Sequence, residues 1–400
     1  MDVPSQRAGT GSMNWHERFS RASQTAFELM AKQPASSQNS ADMISFGGGI
    51  PTEEFYPHEQ FERIVQELLR SGEARAMFEY SPAEGHAGLR REVLRHLQEQ
   101  GIEATEDELL IVSGSQQAID LVTNTFVDPG DAVVLEDPSY FWAICNFRSR
   151  QARCLPVPVD EHGLQTDVLA KLLAANRVKL MYVMPSFQNP TGATLSLERR
   201  HQLLELAGQY QVPILEDNFV GDLWLEGQPL PPLRALPGGH ERVIYQGTFS
   251  KALCPALRVG WLVAPKEVQS RLLLAKRVSD LSTNSMAQIT LAQYLSAGLY
   301  REHLNMVRVA YRKRRDAMTA ALSRFFPKSG DGWDIYWSKP AGGLFIWMRL
   351  PARLSARELL AFAEKEGVTF SPGELFFTSA QAKQFIRLCF IQTEEQVIEQ

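Results

Sequence analysis

Lys251 follows two hydroxyl residues, Thr248 and Ser250, and precedes Arg258 by seven positions in the run Gln246-Gly-Thr-Phe-Ser-Lys-Ala-Leu-Cys-Pro-Ala-Leu-Arg258. The flanks, 243–246 and 260–264, read as two short buried strands. A lysine held between buried strands is costly unless it is paired or its amine is neutral. A neutral amine is what Schiff-base chemistry with an aldehyde requires. Nearby hydroxyls and a guanidinium suit a dianionic phosphate. An aldehyde and a phosphate on one molecule point to pyridoxal 5'-phosphate (PLP), carried on Lys251. Taken alone, a Ser-Lys pair also reads as a solvated surface feature. The Thr-x-x-Lys spacing resembles the Ser-x-x-Lys of penicillin-recognising enzymes, but Thr248 stands where the serine belongs, and no Lys-Thr-Gly or Ser-Asp-Asn partner is present.

Four further motifs each fall just after an expected strand. Val112-Ser-Gly-Ser-Gln-Gln-Ala118 turns from strand to helix through a glycine, and the amides of Ser115 and Gln116 at the helix start offer an anion site. Asp137-Pro-Ser-Tyr140 closes a strand with an aromatic side chain able to stack on a flat cofactor, although such a residue also reads as core. Pro185-Ser-Phe-Gln-Asn189-Pro-Thr-Gly192 is polar and rigid; a solvated turn needs neither its Gln-Asn pair nor its Thr-Gly. Ile214-Leu-Glu-Asp217 ends a strand in two carboxylates, which suit either an acidic surface loop or a protonated pyridine nitrogen.

The elements that must position these residues alternate along the chain. Helical spacing at 60–69, 88–98, 116–126, 140–149, 167–174 and 197–210 separates apolar runs at 108–112, 132–136, 152–159, 178–184, 212–216 and 243–246. Alternation of this kind implies an α/β fold with a mostly parallel sheet covered by helices on both faces. Such sheets bind ligands at the carboxyl ends of their strands. After a long helical pattern at 300–325, the tail reads as a smaller α+β domain, with strands at 334–337, 343–349 and 385–390 and a helix at 356–366. The expected division is a large domain over 59–295 and a small one over 296–400, joined by the N-terminal segment 13–58. Residues 1–12 read as a linker ahead of a start at Met13, and Thr393-Glu-Glu-Gln reads as the capping box of a short last helix.

The totals restrict the partners. Four hundred residues suit about two domains. A net charge of −5, from 41 basic and 46 acidic residues, does not favour nucleic acid. No apolar run approaches a membrane span, and no secretory signal is seen at the N-terminus. The four dispersed cysteines show neither metal nor redox spacing, which fits a cytoplasmic protein with reduced thiols.

With Ser-Gly-Ser-Gln-Gln, Asn-Pro-Thr-Gly, Glu-Asp, Ser-Lys and a late arginine in this order, the chain from about Trp15 onward resembles the fold-type I PLP-dependent aminotransferases. Within them it is most similar to the branch of 2-aminoadipate and kynurenine aminotransferases and the aminotransferase-like half of GntR/MocR-type regulators. The resemblance implies a seven-stranded sheet and a role for each matching residue. Lys251 is the Schiff-base lysine, Asp217 the partner of the pyridine nitrogen, and Asn189 the donor to the ring oxygen O3'. Ser115, Gln116, Thr248 or Ser250, and Arg258 form the phosphate cup, and Tyr140 stacks on the ring. Arg387, in Phe385-Ile-Arg-Leu-Cys-Phe, clamps the substrate carboxylate, and Gly48-Gly49-Ile-Pro51 approaches the substrate. Tyr80 reaches the phosphate of a neighbouring subunit, which implies a homodimer. Many relatives carry a tyrosine two or three residues after the aspartate, but here Asp217 is followed by Asn218-Phe219-Val220. The missing hydroxyl raises the expected pKa of the lysine–cofactor imine, with Asn218 or Tyr182 as possible substitutes.

The expected reaction moves an amino group from an L-amino acid to a 2-oxo acid. Phe55, Tyr56 and Phe219 point to an apolar or aromatic side chain, and no second arginine for a distal carboxylate stands out. Another reaction type on the same fold stays open. A regulator is the weaker alternative, since about thirty residues ahead of Ile44 leave no room for a winged helix.

Overall fold

Short apolar runs become the strands of a central sheet in the computed structural model, which describes residues 13–31, 43–326, 334–379 and 383–399. The expected linker at 1–12 lies outside these residues. Strand β1 (Ile44–Ser45) precedes the large sheet, which holds β2 (Leu109–Val112), β3 (Ala132–Asp137), β4 (Arg153–Asp160), β5 (Gly163–Leu164), β6 (Val178–Val183), β7 (Ile214–Asp217), β8 (Val243–Thr248) and β9 (Gly260–Val263). The strands of the small domain follow: β10 (Tyr336–Trp337), β11 (Phe345–Arg349), β12 (Val368–Thr369), β13 (Ser371–Pro372) and β14 (Phe385–Cys389).

The large sheet runs β2-β9-β8-β7-β6-β3-β4-β5. Pairings among β3, β4, β6, β7 and β8 are parallel, whereas β9 is antiparallel to both β2 and β8. The sheet therefore has eight strands rather than seven. The extra one, β5, is a two-residue hairpin return on β4, too short to leave a periodic signal. Strands such as β2 and β9 are buried along their whole length, as parallel-type sheets covered on both faces require. Their side chains alternate between two cores. Leu109, Ile111, Met181, Ile214 and Val243 face one, and Leu110, Val112, Leu180, Leu215 and Ile244 face the other.

Helix Leu299–Phe325 leads to the small antiparallel sheet β10-β11-β14-β13, in which Trp347 is paired with Arg387. The N-terminal segment joins the small domain through a separate two-stranded sheet, in which β1 pairs with β12 in parallel, Ile44 opposite Val368. Helices Arg21–Met30, Lys266–Ser279 and Ser285–Ser296 add to those expected from the sequence. The last is buried nearly all round, which erases the amphipathic stripe that marks a surface helix. At the C-terminus a short helix does form, Glu395–Ile398, but Glu394 is its N-cap. The expected capping box is not made, because the Thr393 hydroxyl donates instead to the Ser45 carbonyl at 3.3 Å.

Candidate active site

The carboxyl ends of β2, β3, β6, β7 and β8 bring the expected residues to one edge of the sheet. Ser115 and Gln116 open helix Ser115–Phe126 behind Gly114. Their amides make no hydrogen bond among the described residues, as expected for a first helical turn. Thr248 ends β8, and its hydroxyl lies 3.0 Å from that of Ser250. Arg258 Nη1 donates to Ser250 Oγ at 3.3 Å and Nη2 to the Ser113 carbonyl at 3.2 Å. Two backbone donors, two hydroxyls and a guanidinium thus converge on one place. Gly114 makes this approach possible: its φ is +84°, and a Cβ there would lie 2.5 Å from Arg258 Nη2.

Glu216 and Asp217 are neighbours in β7 and therefore face opposite sides of the sheet. Glu216 accepts from the Leu233 and Arg234 amides at 2.8 and 3.0 Å, away from the cluster. Asp217 turns to the other face, where Oδ2 accepts from the Tyr182 hydroxyl at 2.6 Å. Oδ1 is buried with no hydrogen-bond partner. Burial pushes the Asp217 carboxyl up to about 6, against the hydrogen bonds that hold it down. Gln246 is its cross-strand neighbour on β8, fully buried; its side-chain amide and the Phe219 backbone N–H lie close enough to help hold the carboxyl down, but Gln246 falls short of full hydrogen-bond geometry. Asn218 does not replace the missing tyrosine hydroxyl, because its side chain points away and donates to Tyr245 at 2.7 Å. Tyr182 supports Asp217 instead.

Asn189 is presented by a loop braced from beneath. Arg200, fully buried, donates to the carbonyls of Pro185, Leu195 and Pro231. Gln188 donates to the Pro138 carbonyl at 2.8 Å and to Glu136 at 3.2 Å, and accepts from the Thr191 amide and hydroxyl. Asn189 Oδ1 accepts from Arg387 Nη1 at 3.1 Å. Arg387 Nη2 donates to the carbonyls of Gly47 and Gly48 at 2.6 and 3.0 Å, and its guanidinium lies over the rings of Phe345 and Phe376. Burial lowers Arg387 to about 10. Lys251 Nζ donates to the Gly49 carbonyl at 2.7 Å, and burial lowers it to about 8, with Arg387 and Arg258 adding repulsion. Tyr140 stands beside this group. Its hydroxyl is held far from ionisation by burial, and the charge of Asp217 adds to this.

Not every expected residue joins the cluster. Tyr80 is 83% exposed and makes no contact with it within its own chain. Phe55 packs edge-on against Tyr311, and the Tyr56 hydroxyl donates to the Pro51 carbonyl. Four residues near the centre escaped the sequence argument: Gln246, Glu136, Phe345 and Phe376. Glu136 carried a usable signal, since it is a carboxylate at the end of a buried strand like Glu216 and Asp217. The two phenylalanines carried none, because ordinary core positions look the same.

PLP fits this donor set. The unpartnered Asp217 Oδ1 accepts a pyridinium N–H, and the amides of Ser115 and Gln116 with Thr248, Ser250 and Arg258 match a phosphate. Lys251, depressed toward neutrality, matches an aldehyde. Among the described residues, no carboxylate lies within ion-pair distance of Lys251, Arg258 or Arg387, and no cation within that distance of Asp217.

Residues 42–400 match the family model described as aminotransferase class I and II. The chain is 37% identical to aromatic-amino-acid aminotransferase 1 of Thermococcus litoralis over 90% of its own length and 86% of the relative's. Among solved structures, it is similar to the alpha-aminoadipate aminotransferase LysN of Thermus thermophilus, complexed with N-(5'-phosphopyridoxyl)-L-leucine. The TM-score is 0.87 at 36% identity, covering 97% of this chain and 96% of that one. It is likewise similar to a Pyrococcus horikoshii kynurenine aminotransferase in complex with PMP, with KYN as substrate and KYA as product. There the TM-score is 0.88 at 34% identity, covering 96% and 95%.

Proposed function

The chain belongs to the class I and II aminotransferases, and we propose that it transfers the amino group of an apolar, aromatic or aminoadipate-like L-amino acid to a 2-oxo acid such as 2-oxoglutarate. It is a PLP-dependent enzyme, in line with the phosphopyridoxyl and PMP complexes of its relatives. The donor range is supported by relatives named for aromatic amino acids, alpha-aminoadipate and kynurenine.

One observation carries the reading: four ionisable groups meet at one sheet edge, and among the described residues none has an opposite charge within reach. Bound PLP supplies an aldehyde that takes up amines and a ring that draws electrons from the amino acid's α-carbon. Asp217 Oδ1 would accept a hydrogen bond from the protonated ring nitrogen, and Ser115, Gln116, Thr248, Ser250 and Arg258 would hold the phosphate. Tyr140 would pack against the ring, and Asn189 would donate to O3'. Arg387 fixes the substrate carboxylate with a flat, forked guanidinium, which restrains rotation about the α-carbon. Lys251 Nζ removes the α-proton, a role suited to an amine lowered to about 8.

The proposal includes a homodimer in the cytoplasm, with Tyr80 entering the neighbouring site. In support, Phe78, Tyr80, Val278 and Leu281 are exposed apolar or aromatic side chains. They lie on two segments tied together by the Ser81–Ser285 and Arg277–Glu84 contacts. Exposed apolar and aromatic side chains on two linked segments suit an association face. Cys154, Cys254 and Cys389 are free thiols, as in a reducing compartment, and no helix among the described residues is long and apolar enough to cross a membrane.

A panel of amino donors incubated with 2-oxoglutarate tests the function. Glutamate formed one-for-one with the donor's oxo acid is expected, with the highest kcat/KM for aromatic or long-chain donors. Donor consumption with no glutamate would replace transamination by another PLP reaction. For the dimer, sedimentation at micromolar concentration is expected to give twice the chain mass, and a monomer would remove Tyr80 from the site.

A further inference from the structure

The motif Ser113-Gly-Ser-Gln-Gln117 contains one residue with no part in the site described above, Gln117. It occupies the third position of helix Ser115–Phe126, and its side chain folds back over the turn. Gln117 Oε1 accepts from the Ser113 amide at 2.7 Å, and Nε2 donates to Asp280 Oδ2 at 2.6 Å. The same carboxylate oxygen accepts from the Ser113 hydroxyl at 2.8 Å. Asp280 is in turn gripped by Lys276 Nζ, at 2.7 Å to Oδ1 and 2.9 Å to Oδ2. Lys276 has no solvent-exposed side-chain surface, so its charge depends on this partner.

All three polar groups of Ser113 are therefore committed: its amide to Gln117, its hydroxyl to Asp280, and its carbonyl to Arg258. Ser113 is the point where the helix start and the phosphate-side arginine are joined. If its backbone rotates, the amides of Ser115 and Gln116 and the Arg258 guanidinium lose their common focus. We propose that Gln117, Asp280 and Lys276 are positioning residues for the cofactor phosphate, acting through Ser113. The inference rests on the PLP reading of the site. Lys276 is buried and Asp280 a quarter exposed; such an ion pair is poor evidence of stability as such, but it can fix one geometry.

The cluster is tested by comparing two ligands for the apo-protein. PLP and pyridoxal share the aldehyde and the ring, but only PLP has the phosphate. Both are titrated into wild type, Gln117→Leu and Ser113→Ala, and uptake is followed by visible absorbance. Ser113→Ala removes a single hydroxyl and serves where the larger change disturbs folding. The expected result is a rise in the PLP dissociation constant of at least about tenfold for Gln117→Leu and about threefold for Ser113→Ala, with pyridoxal affinity altered less than about twofold. Equal losses for both ligands would reduce the cluster to a general structural role and overturn the inference, as would unchanged PLP affinity in both variants. Wild type that takes up no PLP would overturn the underlying function itself.

Discussion

Tyr182→Phe isolates how the buried Asp217 carboxylate stays ionised. The Tyr182 hydroxyl donates to Asp217 Oδ2 at 2.6 Å, in a setting where burial has already raised the carboxyl to about 6. A hydrogen bond to a charged group contributes about 1.5–3 kcal/mol, which at 1.36 kcal/mol per pK unit is about 1–2 units. Losing it moves the Asp217 pKa up to roughly 7.5. The sign follows from the state that binds. Asp217 must be an anion to hold a pyridinium N–H, so PLP affinity falls as pH drops below the carboxyl's pKa, and in the variant the fall begins higher. At pH 6 the protonation penalty is about 2-fold for wild type and about 30-fold for the variant, a relative loss of about 15-fold; at pH 8.5 the two differ hardly at all.

The assay is titration of apo-protein with PLP from pH 6 to 8.5, reported as the ratio of variant to wild-type dissociation constants. Lys251 titrates over part of the same range, but it does so in both proteins and cancels in the ratio. A ratio that stays constant with pH would refute the reasoning, because a lost packing or orientation effect has no reason to follow the charge on Asp217. A double-mutant cycle adds a second check. In an Asp217→Asn background, the Tyr182→Phe change should have lost its pH-dependent effect.

Three further outcomes follow from the same geometry. Arg387→Lys gives up the forked donor set and the stacking on Phe345 and Phe376, and should raise KM for the amino donor about 10–100-fold while leaving the PLP dissociation constant within about twofold. Gly114→Ala places a methyl group against Arg258 at a φ of +84°, and should weaken PLP binding about tenfold and lower the thermal midpoint. Glu136 is buried and raised to about 8, so the folded state favours its protonated form. Apo-protein stability should then fall by about 2 kcal/mol between pH 6 and 8, and urea midpoints of Glu136→Gln at fixed protein concentration should lack that slope.

The sheet and most of its helices were legible because burial on both faces leaves unbroken apolar runs, as in β2 and β9, and half-buried helices leave a stripe. Ser285–Ser296 was not legible, since a helix buried all round loses its stripe. In the site, residues at the ends of strands and in the loops just beyond were readable from chemistry: Asp217 is a carboxylate at the buried end of β7, and Lys251 and Asn189 are polar just after a strand. Tyr182 and Gln246 were not readable in this way, because both lie within strands where an aromatic or a lone polar residue is ordinary. Their importance comes from the register that sets Gln246 beside Asp217 and from the β6–β7 pairing that brings Tyr182 to it. That Asn218 turns to Tyr245 and Tyr182 to Asp217 is a matter of side-chain direction. Sequence spacing alone does not decide it.

Arg387 and Lys251 share one more dependence, on the backbone of the N-terminal segment. The carbonyls of Gly47 and Gly48 accept from Arg387, and that of Gly49 accepts from Lys251, so consecutive peptide groups hold both cations. These acceptors are neutral. A substrate carboxylate arriving at Arg387 can use the buried Nε, which has no hydrogen-bond partner among the described residues, and compete for Nη2 with a full negative charge where the carbonyls offer only dipoles. Exchange at Arg387 therefore favours the anion, and the carbonyls act as placeholders that keep the guanidinium aimed until it comes. Close approach is needed for this, and side chains would prevent it: a Cβ on Gly48 would collide with the Gln392 side chain, and one on Gly49 would lie 3.0 Å from Phe345. Glycine at these two positions lets neutral backbone hold a buried arginine and a buried lysine in place without neutralising either, which leaves the arginine's charge for the substrate carboxylate and the lysine's amine for chemistry.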